Sequence, residues 1–206
     1  MFITFEGLDY SGKSTQVKLL SDRLTLQDRH VLVLREPGGT EIGEKIRKML
    51  LDKSNESMTE ASELFLFSAS RSQLVQEVIT PALEGGMDVI CDRYYDSTTA
   101  YQGFGRGISL DIIRTINRYA IGKLIPELTC FLDIPIREVE KRITASKSNK
   151  DRMELSGIEF YEKVRNGYLQ MAKEEPRYRI VEGMHPIDDI HEIIWQQVSQ
   201  LIGKKE

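Results

Sequence analysis

"FEGLDYSGKST", Phe5–Thr15, follows the apolar Met1-Phe2-Ile3 and runs into Lys13–Gln27, where Val17, Leu20 and Leu24 recur at helical spacing. Gly7, Gly12, Lys13 and Ser14 satisfy G-x-x-x-x-G-K-[ST], the spacing of loops that cradle nucleotide phosphates. A strand before the loop and a helix after it are the context this chemistry requires. Backbone amides and the helix N-terminal dipole then face the phosphates, Lys13 adds a point charge, and Ser14 offers a hydroxyl to Mg²⁺. The bland alternative is a Gly-rich turn with an accidental lysine, and motif and context together disfavour it. Asp9 is the odd member of the loop. A carboxylate there repels the phosphates of the bound nucleotide, so it is expected to face away from them.

Outward from the loop, short apolar segments alternate with longer amphipathic ones. The expected strands are 2–6, 31–35, 88–92, 128–133 and 177–181. Further helices are expected over 59–79 (stopping at Pro81), 109–121, 136–145, 157–175 and 186–202, and Asp96–Gly103 is also expected to be helical. Repeated strand–helix units predict an α/β fold, three layers α/β/α around a five-stranded parallel sheet, the P-loop kinase arrangement. Ligands in such sheets sit beyond the carboxyl ends of the strands. At 206 residues the chain is expected to form a single domain. Leu50–Glu56 and Ser146–Asp151 read as polar connectors, the second either a plain linker or a lid over about 146–152.

Net charge is −4, which argues against general binding of nucleic acid or anionic membranes, and no membrane-spanning run is present. Without a basic segment leading into an apolar one, a cytoplasmic protein is expected. Cys91 and Cys130 both fall in expected central strands and read as buried, inert thiols. His30, His185 and His191 share no ligand spacing with them, which disfavours zinc. A guanine-nucleotide switch would add an Asn-Lys-x-Asp-like stretch, and none is present. A small kinase of a monophosphate or metabolite suits the size best.

Four more stretches narrow the choice: "REPGGT" (Arg35–Thr40), "FSASR" (Phe67–Arg71), "DRYYDSTTAYQG" (Asp92–Gly103) and "PELTCFLDI" (Pro126–Ile134). With the phosphate loop, and in this order, they closely resemble bacterial thymidylate kinases from about Phe2 to the C-terminal helix. The resemblance implies transfer of the γ-phosphoryl group of MgATP to dTMP, giving dTDP and ADP in dTTP synthesis, and homodimers as the usual state. It implies an ATP site at Gly7, Leu8, Asp9, Tyr10, Ser11, Gly12, Lys13, Ser14 and Thr15. Arg142 is placed either against the adenine or on a helix surface.

The same resemblance implies a dTMP site. Phe67 and Arg71, i and i+4 on a helix, would stack on thymine and donate to its O4; taken alone, without the resemblance, they read rather as a core ring and a solvated charge. Thr98 and Gln102 would meet the N3/O4 edge, and Tyr101 would exclude a ribose 2′-hydroxyl. Arg93 and Arg47 would hold the acceptor phosphate with planar forks, although Arg47 could be a surface charge near Glu44. Glu36 would lie near the acceptor and magnesium. Asp9 now gains a partner in the sugar 3′-hydroxyl. Asp92 would contact Mg²⁺ through water, or tether Arg93.

Lys13, Arg93, Asp9 and a lid cation form the expected catalytic set. One subtype of the family carries an arginine directly after the loop acid, where this chain has Tyr10; the other takes its cation from the lid. Here Lys147, Lys150 and Arg152 are available, Arg152 first, with Glu154 either holding Arg152 or capping a helix. Asp9 itself is more typical of the first subtype, so the chain mixes the two. Two rivals stand beside this reading: a P-loop kinase of another small acceptor, and a nucleotide-binding protein without turnover.

Overall fold

A computed structural model describes residues 1–146, 152–153 and 157–203. Five strands, β1 (Phe2–Gly7), β2 (Val31–Arg35), β3 (Asp88–Asp92), β4 (Leu128–Asp133) and β5 (Tyr178–Glu182), form one sheet in the order β2-β3-β1-β4-β5. All four pairings are parallel. β1 is central and pairs with β3 on one side and β4 on the other, so the phosphate loop leaves the middle of the sheet. Both sheet faces are covered, which is why β1 and β4 read as apolar runs rather than alternating ones. Ile3, Phe5, Ile90, Cys130 and Leu132 pack against α1 (Lys13–Thr25) on one face. Phe2, Val89 and Cys91 face Leu74, Val75 and Ile79 on the other.

Thr40 caps α2 (Glu41–Leu51), its hydroxyl accepting from the Gly43 amide at 2.9 Å, and Thr59 caps α3 (Glu60–Leu74) in the same manner. The helix expected to stop at Pro81 does not. It passes from α3 through a π-turn, Val75–Ile79, into α4 (Thr80–Glu84), which carries Pro81 in its first turn. The π-turn shifts the ladder just before it, the Thr80 amide bonding back to the Val75 carbonyl, and α4 restarts with Pro81 in a first-turn position, where proline is tolerated. The 50–56 connector is also more ordered than expected: α2 runs to Leu51, Leu50 is fully buried, and Lys53–Asn55 form a 3₁₀ turn.

After β3, α5 (Tyr95–Thr98) continues as a π-helical stretch, Thr99–Gly105, rather than as one regular helix. Among the described residues, α6 (Leu110–Ile121), α7 (Ile136–Ala145), α8 (Ile158–Glu174) and α9 (Ile187–Ile202) are the remaining helices, within one residue of their expected limits. α9 packs with α1, Ile190, Ile194 and Val198 joining its core, while Val164 and Tyr168 of α8 pack around Phe131 on the opposite face. Among the described residues, no helix is long and apolar enough to cross a membrane.

Candidate active site

Gly7 ends β1 at φ 143°, where a Cβ would come within 2.6 Å of the Leu132 carbonyl oxygen; no side chain fits that approach. Lys13 folds back over the loop it follows, donating to the carbonyls of Gly7 (3.2 Å) and Leu8 (2.8 Å). Burial and the neighbouring Arg93 push its ammonium down to about 8, with Asp92 and Asp9 opposing. The Ser14 hydroxyl donates to the Asp92 carboxylate at 2.7 Å, joining the start of α1 to the end of β3. An open cavity of about 430 Å³ lies over Gly12, Lys13, Ser14 and Thr15, with Asp9, Tyr10, Asp92 and Arg93 in its walls.

Arg93 begins the turn after β3 at φ 71°, a left-handed conformation that costs a non-glycine residue about 1 kcal/mol or more. Two bonds hold it: its amide donates to the Phe5 carbonyl (2.9 Å), and the next amide, Tyr94, donates to Glu6 Oε1 (2.7 Å). The turn aims the Arg93 guanidinium at the loop. Nη1 donates to the Gly7 carbonyl at 2.9 Å, and Nη2 meets Asp9 Oδ1 at 2.6 Å and the Tyr101 hydroxyl at 3.2 Å. Burial raises the Asp9 pKa, but Arg93 and Lys13 outweigh it and hold the carboxyl below its ordinary value.

A second cavity opens on the other side of Asp9, with Phe67, Thr98, Tyr101 and Gln102 in its walls. Four residues line both cavities: Asp9, Glu36, Arg47 and Arg93. Glu36 Oε1 and Thr98 Oγ1 are buried here without a hydrogen-bond partner among the described residues. Buried polar atoms are rarely left unpaired, so two of them beside an aromatic ring suit a polar, planar ligand.

Two concave sites meeting at two guanidiniums and two carboxylates, one site built on a phosphate loop, are the geometry of a phosphotransferase with a separate acceptor. Residues 5–194 match the thymidylate kinase family. The chain belongs to that family. It is 48% identical over 209 residues to the thymidylate kinase of Chlorobium luteolum, covering 97% of each chain, and 46% identical to that of Chlorobaculum tepidum, covering 99% of each. Among solved structures, the thymidylate kinase of Ehrlichia chaffeensis superposes with a TM-score of 0.78 at 33% identity, over 97% of this chain and 98% of that one.

Several expected site residues of this thymidylate kinase family member lie where sequence alone did not place them. Arg71 is neither solvated nor in the cavity wall. It is fully buried behind the wall, with Nε donating to Glu36 Oε2 at 2.7 Å and its two other nitrogens to Asn117 Oδ1 and the Tyr94 carbonyl, both at 3.3 Å. Phe67, its i−4 neighbour, does line the cavity. Arg47 donates to the Pro37 carbonyl at 3.0 Å and borders both cavities. Arg142 pairs with Glu138 and donates to the carbonyl of Tyr10, so it touches the phosphate loop itself.

Arg152, the first-choice lid cation, is absent from the walls of the loop cavity. Its Nη1 lies 2.6 Å from Glu63 Oε2 and its Nε donates to the Leu50 carbonyl, because a buried carboxylate outcompetes solvent for a guanidinium. Lys147, Lys150 and Glu154, and with them most of the expected lid, lie outside the described residues.

Sequence reasoning missed two acids. Glu6 is fully buried under the Arg93 turn, accepting from the Tyr94 amide and from the hydroxyls of Ser97 (2.6 Å) and Tyr168 (2.7 Å). Its signal was a lone carboxylate in an otherwise apolar central strand. Glu63 is fully buried one turn before Phe67. Its signal was the spacing 63, 67, 71, which puts it on the face already assigned to the base.

Proposed function

We infer that this chain transfers the γ-phosphoryl group of ATP to dTMP, giving dTDP and ADP. Family membership supplies the reaction, and one observation supports reading it onto these residues: the loop cavity and the Phe67 cavity meet at Asp9, Glu36, Arg47 and Arg93. ATP phosphates would lie in the loop from Gly7 to Thr15 under Lys13. The dTMP base would stack on Phe67, with Thr98 and Gln102 at its edge and Tyr101 beneath the sugar. Arg93 and Arg47 would receive its phosphate, and Asp9 the sugar hydroxyl. Reaction then depends on in-line positioning and charge stabilisation by the cations at the junction.

The Ser14 hydroxyl and the Asp92 carboxylate, 2.7 Å apart, are hard oxygen donors that fit Mg²⁺ arriving with ATP and keeping most of its waters. Bound there, magnesium would neutralise charge on the β- and γ-phosphate oxygens. Phe65 of α3 and Ile112 and Tyr119 of α6 are exposed on two helices that pack together, a surface suited to the homodimer we expect; sedimentation at micromolar concentration should give twice the chain mass. Free buried thiols at Cys91 and Cys130 suit a single domain working in the reducing cytoplasm, which cell fractionation checks.

ADP release, measured with MgATP and a panel of nucleoside monophosphates, tests the reaction. dTMP should give the highest kcat/KM. Absence of ADP release with dTMP, or a clear preference for a purine monophosphate, would overturn this reading.

A further inference from the structure

Glu63 lies behind the wall of the Phe67 cavity, reaching it through Gln102, and bonds to none of Asp9, Glu36, Arg47 and Arg93, where the two cavities meet. Its Oε1 accepts from the Gln102 amide nitrogen at 2.8 Å and from Arg106 Nε at 3.3 Å. Its Oε2 accepts from Arg106 Nη2 at 3.3 Å and faces Arg152 Nη1 at 2.6 Å. Burial works against ionisation, but the Gln102 amide and the two guanidiniums win and hold the carboxyl below its ordinary range. An ionised carboxylate only accepts hydrogen bonds. Turning the Gln102 amide by half a turn would set two oxygens against each other at that 2.8 Å separation. The amide is therefore locked with its NH₂ toward Glu63. Its carbonyl oxygen is the end left for the cavity, and no described residue donates to it.

We propose that Glu63 is a specificity-determining positioning residue: by fixing the polarity of Gln102 it makes the cavity accept a pyrimidine whose N3 carries a hydrogen and reject one whose N3 is a bare lone pair. This rests on the assignment of the Phe67 cavity to dTMP. Thymine and uracil have an N3–H and would donate to the Gln102 oxygen; cytosine would meet it lone pair to lone pair. Sites that pair a buried polar group reject the analogue that leaves it unpaired far more strongly than an apolar pocket rejects a missing methyl. Glu63 needs no contact with the nucleotide to do this. It acts through the amide it holds.

The test is Glu63→Gln, whose own amide can turn its NH₂ toward the Gln102 carbonyl and so release Gln102 to present either end. kcat/KM should be measured with dTMP, dUMP and dCMP. The dCMP:dTMP ratio should rise about tenfold or more, the dUMP:dTMP ratio should stay as in the parent because both bases keep the N3–H, and the KM for ATP should not move. A merely structural role would lower all three substrates together, and an unchanged dCMP:dTMP ratio overturns the proposal. Should Glu63→Gln fail to fold, Gln102→Met removes the amide without the buried charge, and a Gln102→Met enzyme that still prefers dTMP over dCMP as strongly as the parent overturns it as well. A parent enzyme that ignores dTMP would instead overturn the proposed function, so the two failures are distinct.

Discussion

Asp9 and Arg93 stand where the two cavities meet, and each is held there by the other. In isolation Asp9 would oppose phosphate binding in the loop; here its charge is met by Arg93 Nη2 at 2.6 Å and by the hydroxyls of Tyr101 and Tyr161 at 3.3 and 3.5 Å, at the junction of the two cavities. Hydrogen bonds to charged groups contribute about 1.5–3 kcal/mol. Asp9→Ala should therefore weaken dTMP binding by roughly 10–100-fold, both through its own lost contact and by freeing Arg93. ATP affinity, measured by titration with a non-hydrolysable analogue, should change by less than about threefold, since the loop amides and Lys13 are untouched. Equal losses on the two sides would show that Asp9 belongs to the phosphate loop as a whole. Asp9 was legible from sequence because a carboxylate is out of place in that motif. Arg71 was only half legible. Its spacing to Phe67 gave the helix face, but its three buried acceptors come from Glu36, Asn117 and Tyr94, which no local pattern connects.

At the scale of elements, the Phe67 cavity depends on how closely the Thr99–Gly105 stretch, which supplies Tyr101 and Gln102 to its wall, lies against α8. Two glycines permit the approach. A Cβ on Gly105 would fall 2.6 Å from Phe160 Cε2 and 2.9 Å from Val164 Cγ2, and one on Gly167 would fall 2.5 Å from the Phe104 ring. Phe160 and Val164 are buried and cannot withdraw freely. Gly105→Ala should cost about 1–3 kcal/mol of stability by overpacking. It should also raise the KM for dTMP more than that for ATP, because Tyr101 and Gln102 ride on the displaced stretch while the phosphate loop does not. Urea unfolding together with steady-state kinetics checks both. An Ala variant as stable as its parent would mean that α8 yields. A regular helix is expected through Gly103, whereas Thr99–Gly105 is π-helical where it packs on α8, a contact with a distant part of the chain that the segment alone does not show.

For the molecule as a whole, the buried carboxylates predict how stability depends on pH. Burial pushes both Glu6 and Glu36 up to about 7, with Asp96 adding to the effect and Arg93 opposing it at Glu6, and Arg71 opposing it at Glu36. A group whose pKa is raised by folding binds its proton more tightly in the native state, so its contribution is complete below the unfolded value and is lost as pH rises through the folded one. The ligand-free protein should therefore lose stability between about pH 5 and pH 8, each of the two carboxyls contributing of the order of 3 kcal/mol. Asp9, Glu63 and Asp88 have depressed values and act in the opposite sense, removing stability as pH falls below the ordinary carboxylate range. Denaturant unfolding at one-unit pH intervals should show a maximum near pH 5, and Glu6→Gln should make the alkaline limb about half as steep, the remainder belonging to Glu36. Identical limbs in parent and variant would mean that Glu6 is ionised throughout.

Sequence alone determined the frame: five parallel strands, the helices between them, and a phosphate loop at the end of the central one. Those features arise from spacing within one segment, an apolar run, a 3.6-residue period or a fixed interval of glycines, and so they survive reading one residue after another. Tertiary structure decided the pairings that make the frame a site. Glu6 under Arg93, Glu36 on Arg71 and Glu63 between Gln102, Arg106 and Arg152 each join residues tens of positions apart, and a buried charge takes its partner from whichever element the fold brings within about 3 Å.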